Sequence, residues 1–165
     1  MKQKNLYLMC GTPGAGKSTW LRKNCIEGRD CVISRDEIRF AIVPEGESYF
    51  SKEKEVYKNF VARIQDAIDE PDKYENIYCD ATHITERSRD KLIESLDLTN
   101  VANIIVIVVR PSLEEALKRN KNRTGRALVP DTVIRKMYMQ FERPENDTNH
   151  PKDVIYVEVP EIWNV

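Results

Sequence analysis

The residues best suited to chemistry lie together in Gly11-Thr12-Pro13-Gly14-Ala15-Gly16-Lys17-Ser18, with Thr19 directly behind them. They fit G-x-x-x-x-G-K-[ST], in which backbone N–H groups wrap phosphates, the lysine reaches the outer phosphate oxygens and the hydroxyl holds Mg²⁺. The glycines permit backbone angles that a Cβ forbids, so several amides can converge on one anion. The expected ligands are ATP or another nucleoside triphosphate along Gly11–Thr19, and Mg²⁺ on Ser18. Phosphoryl transfer needs three further parts: a base near the acceptor, arginines for the transferring group, and a lid that excludes water. Ser34-Arg35-Asp36-Glu37-Ile38-Arg39 can supply a base, and Arg119 and Arg123, at i and i+4 on one helix face, can supply lid arginines.

The elements that must position these residues follow from the pattern. Leu6–Cys10 reads as a buried strand and Ser18–Lys23 as the start of a helix. Cys31–Ser34 is a second strand, Asp36–Ala41 a short helix that Pro44 ends, and residues 44–48 a loop. A helix over about Ser51–Glu70 carries Val56, Phe60, Val61, Ile64 and Ile68 on one face. Ile77–Asp80 is a third strand, followed by a helix over about Glu86–Leu96 capped by Thr85. The β-branched run Ile104–Val109 suits a parallel strand buried on both faces. Ser112-Leu113-Glu114-Glu115 is a capping box opening a helix to about Asn122, and Thr124-Gly125-Arg126 interrupts it. A further helix runs over about Pro130–Phe141, a polar loop over Arg143–Asp153, and a last strand over Val154–Val159. Alternating strands and helices predict right-handed βαβ units, hence an α/β three-layer sandwich with a mostly parallel sheet of four or five strands. Asp36, after the second strand, and Asp80, ending the third, should then face the edge that holds the phosphate loop.

The 165 residues suit a single domain, with a lid over about residues 112–130. Charged residues make up 32% but nearly cancel at −1, so net charge alone does not indicate a nucleic-acid binder. Arg110–Arg126 departs from this balance, with six Lys/Arg against two acids. Cys10, Cys25, Cys31 and Cys79 have no metal-ligand spacing and read as structural thiols in a reducing cytosol. With no apolar run long enough for a membrane span, a soluble cytoplasmic protein is expected.

Three kinds of nucleotide-binding protein compete. A motor ATPase usually ends a strand in paired acids; here the strands end at Ser34, Asp80-Ala81 and Arg110. A GTPase needs N-K-x-D, and Asn120-Lys121-Asn122-Arg123 lacks the aspartate. A phosphotransferase finds all its parts. On these blocks the chain resembles the 5′-hydroxyl kinase domain of bacteriophage polynucleotide kinase, within the zeta-toxin-like small P-loop kinases. The family's G-x-P-G-x-G-K-S-T-W matches Gly11–Trp20, and its R-D-D-x-R matches Arg35–Arg39 with Glu37 as a conservative change. Its strand-ending aspartate before an E-R helix start matches Asp80 and Glu86-Arg87. Its lid, K-R-N-x-x-R followed by V-P-x-x-V-[IL]-R-x-M-Y, matches Lys118–Tyr138 with about one residue inserted after Arg123.

The resemblance implies ATP-dependent transfer to the 5′-hydroxyl of DNA or RNA. Asp36 would act as general base with Lys17, Arg39 and Arg123 in the catalytic set. Arg39 would bind the acceptor's phosphate, Asp80 and Thr82 would lie at the acceptor site, and Arg119 and Arg123 would bind the donor phosphates. Asp36 could instead cap its helix and pair with Arg39, and Asp80 could cap the helix that follows. Ala81-Thr82-His83 departs from the family, which tends to carry a hydroxyl or amide after the aspartate. A lone loop histidine such as His83 is more often incidental than a substrate contact. Any phosphatase or ligase step would come from separate proteins, and residues 146–165 read as an ordinary edge strand and tail. Phe40, Tyr49 and Phe50 could stack bases or belong to the core. A small-molecule kinase acting on a sugar nucleotide, nucleoside or antibiotic, and an ATP-binding regulatory module, are the alternatives.

Overall fold

Five segments of mostly apolar residues pair into one sheet, and the intervening helices cover both its faces. The computed structural model describes residues 2–157. The strands are β1 (Lys4–Cys10), β2 (Asp30–Ser34), β3 (Asn76–Asp80), β4 (Val101–Val109) and β5 (Asp153–Val157). They lie in the order β2-β3-β1-β4-β5, and every neighbouring pair is parallel. The helices are α1 (Lys17–Asn24), α2 (Arg35–Ile42), α3 (Glu53–Asp69), α4 (Glu86–Glu94), α5 (Leu113–Lys121) and α6 (Asp131–Gln140). The expected α/β three-layer sandwich is therefore present.

Side chains of a strand alternate between faces, and the interior strands use both. Leu6, Leu8 and Cys10 of β1 join Val106 and Val108 of β4 in one core, packed against Phe60, Ile64 and Ile68 of α3. Met9 of β1 joins Ile105, Ile107 and Val109 of β4 in the other, against Leu21 of α1. The stripe Val56, Phe60, Ile64, Ala67 and Ile68 is buried, and each large apolar member contributes about 1.5–3 kcal/mol. A third, small cluster of Ala116, Leu117 and Ile134 joins α5 to α6.

Several boundaries differ from the sequence reading in instructive ways. α5 ends at Lys121, so Arg123 lies beyond it; its backbone N–H bonds the Asn120 carbonyl at 3.0 Å. Arg119 and Arg123 are thus not two positions on one helix face. The chain after residue 146 is also more than an edge strand and tail. Asp147 is buried, and both its oxygens accept from Arg89, at 2.8 Å from Nε and Nη2, while Lys152 Nζ lies 2.7 Å away. Residues 158–159, expected in the last strand, lie outside the described residues.

All four cysteines are free thiols, with Cys10 and Cys79 buried. No helix among the described residues is long and apolar enough to cross a membrane.

Candidate active site

The carboxyl ends of β1, β2 and β3 deliver Gly11, Arg35 and Ala81 to one edge of the sheet, where Ser34 and Asp80 stand in register. The chain leaves β1 for the far strand β2 and later returns to the other side of β1 with β4. That reversal opens a crevice at the strand ends, the usual ligand site of such sheets. It is a cleft of about 1620 Å³ bordered by the glycine loop, α2, the loop before α3, the β3 end and the segment after α5.

The glycine loop is shaped for a polyanion. Gly14 and Gly16 have φ of +79° and +109°, a region costly for residues with a Cβ. A Cβ on Gly11 would stand 2.5 Å from the Val109 carbonyl oxygen, so β1 can turn this close to β4 only at glycine. The Gly11 N–H is held by the Thr82 carbonyl at 2.9 Å, which ties the loop to the segment after β3. Lys17 Nζ donates to the carbonyls of Gly11 at 2.7 Å and Thr12 at 2.9 Å. Pro13 through Thr19 line the cleft, whereas Gly11 and Thr12 lie behind its wall.

The opposite wall is built on α2. Ser34 caps this helix, its hydroxyl accepting from the Glu37 N–H at 3.2 Å, so Asp36 is not the cap. Asp36 lines the cleft with its side chain 43% exposed, and its Oδ1 accepts from Arg39 Nη1 and from the Tyr49 hydroxyl, the latter at 2.5 Å. Arg39 is almost fully buried; its Nε donates to Glu53 at 2.6 Å and its Nη1 also donates to the Tyr49 oxygen at 2.7 Å. Glu53's other oxygen accepts from Arg35 Nη2 at 2.8 Å. Phe40, Tyr49 and Phe50 all line the cleft rather than the core, and Phe50 is exposed.

Asp80 and Thr82 border the same cleft. The helix after Asp80 is capped without it: the Thr85 hydroxyl accepts from the Ser88 N–H, and the Ser88 hydroxyl from the Thr85 N–H. Burial pushes the Asp80 carboxyl up from its ordinary value, Asp36 and Glu37 adding to this and Lys17 and Arg123 opposing it. Burial likewise pulls the Lys17 ammonium down, while the Asp80 and Asp36 charges support it. His83 turns into the interior, its Nδ1 2.9 Å from the Met9 carbonyl. It does not line the cleft.

On the lid side, Arg119 reaches back to the loop, its Nη1 donating to the Ala15 carbonyl at 3.0 Å and its Nε to Glu115 at 2.9 Å. α5 can lie this close because Gly14 has no Cβ; one would meet the Ala116 carbonyl oxygen at 3.0 Å. The Asn120 side chain pins the returning chain, accepting from the Val129 N–H at 3.1 Å and donating to its carbonyl. Arg123 borders the cleft with its Nη1 buried and without a hydrogen-bond partner among the described residues. A half-buried arginine with one orphaned nitrogen, left-handed glycines and a lysine on one loop fit a nucleotide's phosphates. Gly14–Lys17 amides, Lys17, Arg119 and Arg123 would hold them, and the Ser18 hydroxyl would hold Mg²⁺. Among the described residues no three His, Cys, Asp or Glu are grouped as a metal cage.

Sequence reasoning missed Glu53. It acts from 14 and 18 residues away across an irregular loop, and an acid in a helix's first turn is an ordinary sight.

Fold and loop together define a P-loop NTPase domain with kinase-like site architecture. A family model described as AAA domain matches residues 6–144, and the chain belongs to that family. No curated protein matches the chain. Among solved structures it is similar to a chain of the Pnkp1/Rnl/Hen1 RNA repair complex, at 24% identity and TM-score 0.68, over 85% of this chain and 44% of that one. It thus spans less than half of that chain's length. A fungal RNA kinase is similar at 14% identity and TM-score 0.65, over 98% and 78% of the two chains. A gluconokinase from Sinorhizobium meliloti 1021 is similar at 19% identity and TM-score 0.56, over 98% and 87%. At these identities the likeness establishes the shared fold.

Proposed function

We propose that the protein transfers the γ-phosphate of ATP to the 5′-hydroxyl of a DNA or RNA strand. The observation that carries this reading is Asp36: an accessible carboxylate whose Oδ2 makes no hydrogen bond among the described residues, across one cleft from the P-loop lysine. Bound ATP with Mg²⁺ supplies the transferable phosphoryl group. Asp36 aligns the acceptor hydroxyl and takes its proton at Oδ2 as the oxygen attacks. Lys17, Arg119 and Arg123 meet the charge that spreads over the transferring group, and Arg39 offers a positive edge to an acceptor phosphate. Thr82 and Asp80 border the acceptor side. The exposed ring of Phe50 and the cleft-lining Phe40 favour a base-bearing acceptor, each stack being worth ~1–3 kcal/mol. The likeness to the RNA repair complex and to the fungal RNA kinase agrees with a nucleic-acid acceptor.

A small-molecule kinase is the second reading. The gluconokinase likeness over 98% of the chain favours it, as does the pairing of Arg39 with two carboxylates, which offsets the charge available to an acceptor phosphate. Labelled γ-phosphate from ATP, offered to a panel of acceptors, separates the two. A 5′-hydroxyl oligonucleotide should be labelled best, a nucleoside 3′-phosphate should be the smallest good acceptor, and a bare nucleoside should be poorer. It forfeits a charge-assisted contact of ~1.5–3 kcal/mol. A sugar, sugar nucleotide or bare nucleoside outperforming every oligonucleotide would establish the small-molecule kinase instead.

A further inference from the structure

Every residue from 44 to 52 is exposed except Tyr49, which turns inward to the general-base cluster. Its hydroxyl donates to Asp36 Oδ1 at 2.5 Å and accepts from Arg39 Nη1 at 2.7 Å. Its ring meets Phe50 edge-on with centroids 4.7 Å apart and Phe40 at 6.3 Å, and the Arg39 guanidinium lies over it at 4.3 Å. Two rings and a cation thus hold a single hydroxyl against one oxygen of a carboxylate.

We infer that Tyr49 is a positioning residue for the transfer reaction: its hydroxyl fixes Asp36 through Oδ1, so that Oδ2 is held ready for the acceptor hydroxyl. The inference rests on the transferase reading above. An aspartate on a helix's first turn, with its side chain 43% exposed, has rotamer freedom that in-line attack does not tolerate. Arg39 alone restrains it from one side. Tyr49 adds a second bond to the same oxygen, and two bonds to Oδ1 define where Oδ2 points. Arg39 is itself held by Glu53, whose second oxygen is anchored on Arg35. The cluster is a chain of restraints ending on the base. Burial, and after it the Asp36 charge, push the Tyr49 hydroxyl up from its ordinary value, so it stays a proton donor wherever the enzyme works. The acceptor proton still goes to Asp36; Tyr49 neither gains nor loses one.

Tyr49 also makes the exposed loop a part of the active site. A strand docked on Phe50 bears on the same segment that carries the Tyr49 hydroxyl, so acceptor contact and alignment of the base share one loop.

The test is Tyr49→Phe in the full chain, assayed with the best acceptor of the panel under saturating ATP. The phenyl ring keeps the Phe40 and Phe50 contacts, so the melting temperature should stay within about 3 °C. Turnover should fall roughly 10-fold or more, the kinetic equivalent of one hydrogen bond to a charged group, with ATP affinity and acceptor KM within about twofold. Adding Tyr49→Phe to Asp36→Asn should change residual turnover by less than about twofold, because the group it positions is gone. Turnover of Tyr49→Phe within twofold of wild type, or the same fold-loss in the Asp36→Asn background, would overturn the positioning role while leaving the transferase reading intact. A wild-type chain that phosphorylates no acceptor would overturn both.

Discussion

His83 shows how a polar residue beside an active site can serve the fold. It occupies a left-handed backbone position (φ +42°) at the end of the loop that carries Thr82 to the cleft, and its ring is buried against the Met9 carbonyl and Phe60. Burial, with the nearby cations Arg35, Arg89 and Lys17 adding to it, pulls its imidazole down to about 4, although the Met9 bond works the other way. Because the folded value lies below the unfolded one, the native state binds fewer protons. The stability this represents is fully present above about pH 6.5 and is lost as pH falls toward 4, roughly 3 kcal/mol in all. His83→Asn, which tolerates the backbone angle, should show a shallower fall in melting temperature between pH 6.5 and 4.5 than wild type. Parallel falls would mean that His83 does not titrate in this window. Lys17, Ser18 and Asp36 were legible because a contiguous motif or a strand end marks them. Glu53 and Tyr49 were not legible as partners of Arg39 and Asp36, since these contacts are made only when α3 folds back on α2.

Among the elements, the sheet and six helices followed from periodicity, and departures arose where a distant contact decides. α5 stops at Lys121 because the Asn122 N–H bonds the Arg119 carbonyl, a tightened last turn that periodicity does not reveal. The 143–153 segment read as a polar loop, yet two of its residues, Asp147 and Lys152, join the most buried ion-pair network among the described residues. Arg89 is fully buried and donates to Asp147, the His83 carbonyl and the Glu142 carbonyl; Lys152 joins Asp147 to Asp90. Burial works against the Asp147 charge, but Arg89 and Lys152 outweigh it and hold the carboxyl below its ordinary value. No local pattern links residues 58 positions apart. Asp147→Ala would strand the buried guanidinium and should cost about 3–5 kcal/mol in urea unfolding, well beyond a surface pair. A loss below about 1 kcal/mol would show that solvent or the two carbonyls suffice for Arg89.

At the scale of the whole molecule, one parallel sheet gathers residues from five separate stretches at its carboxyl edge. The glycine loop was legible from the sequence, since phosphate recognition by such a loop is local chemistry. The wall opposite the glycine loop was legible only at Asp36 and Arg39. The rest of the cleft lining comes from the 44–52 loop, which carries no motif, and from Val133 and Met137 of the lid pattern with Leu128 beside them, which meet that loop only in the fold. The proposed function requires that Asp36 and the P-loop serve one transfer reaction across this cleft. It is tested most directly by single-turnover transfer from γ-labelled ATP to a 5′-hydroxyl oligonucleotide, comparing wild type with Asp36→Asn and measuring ATP affinity alongside. Wild type should place a phosphatase-sensitive label on the 5′ end, and the variant should lose roughly 10²–10⁴ in rate with ATP affinity nearly unchanged. Equal rates in the two proteins, or ATP hydrolysis with no label on any strand, would contradict it.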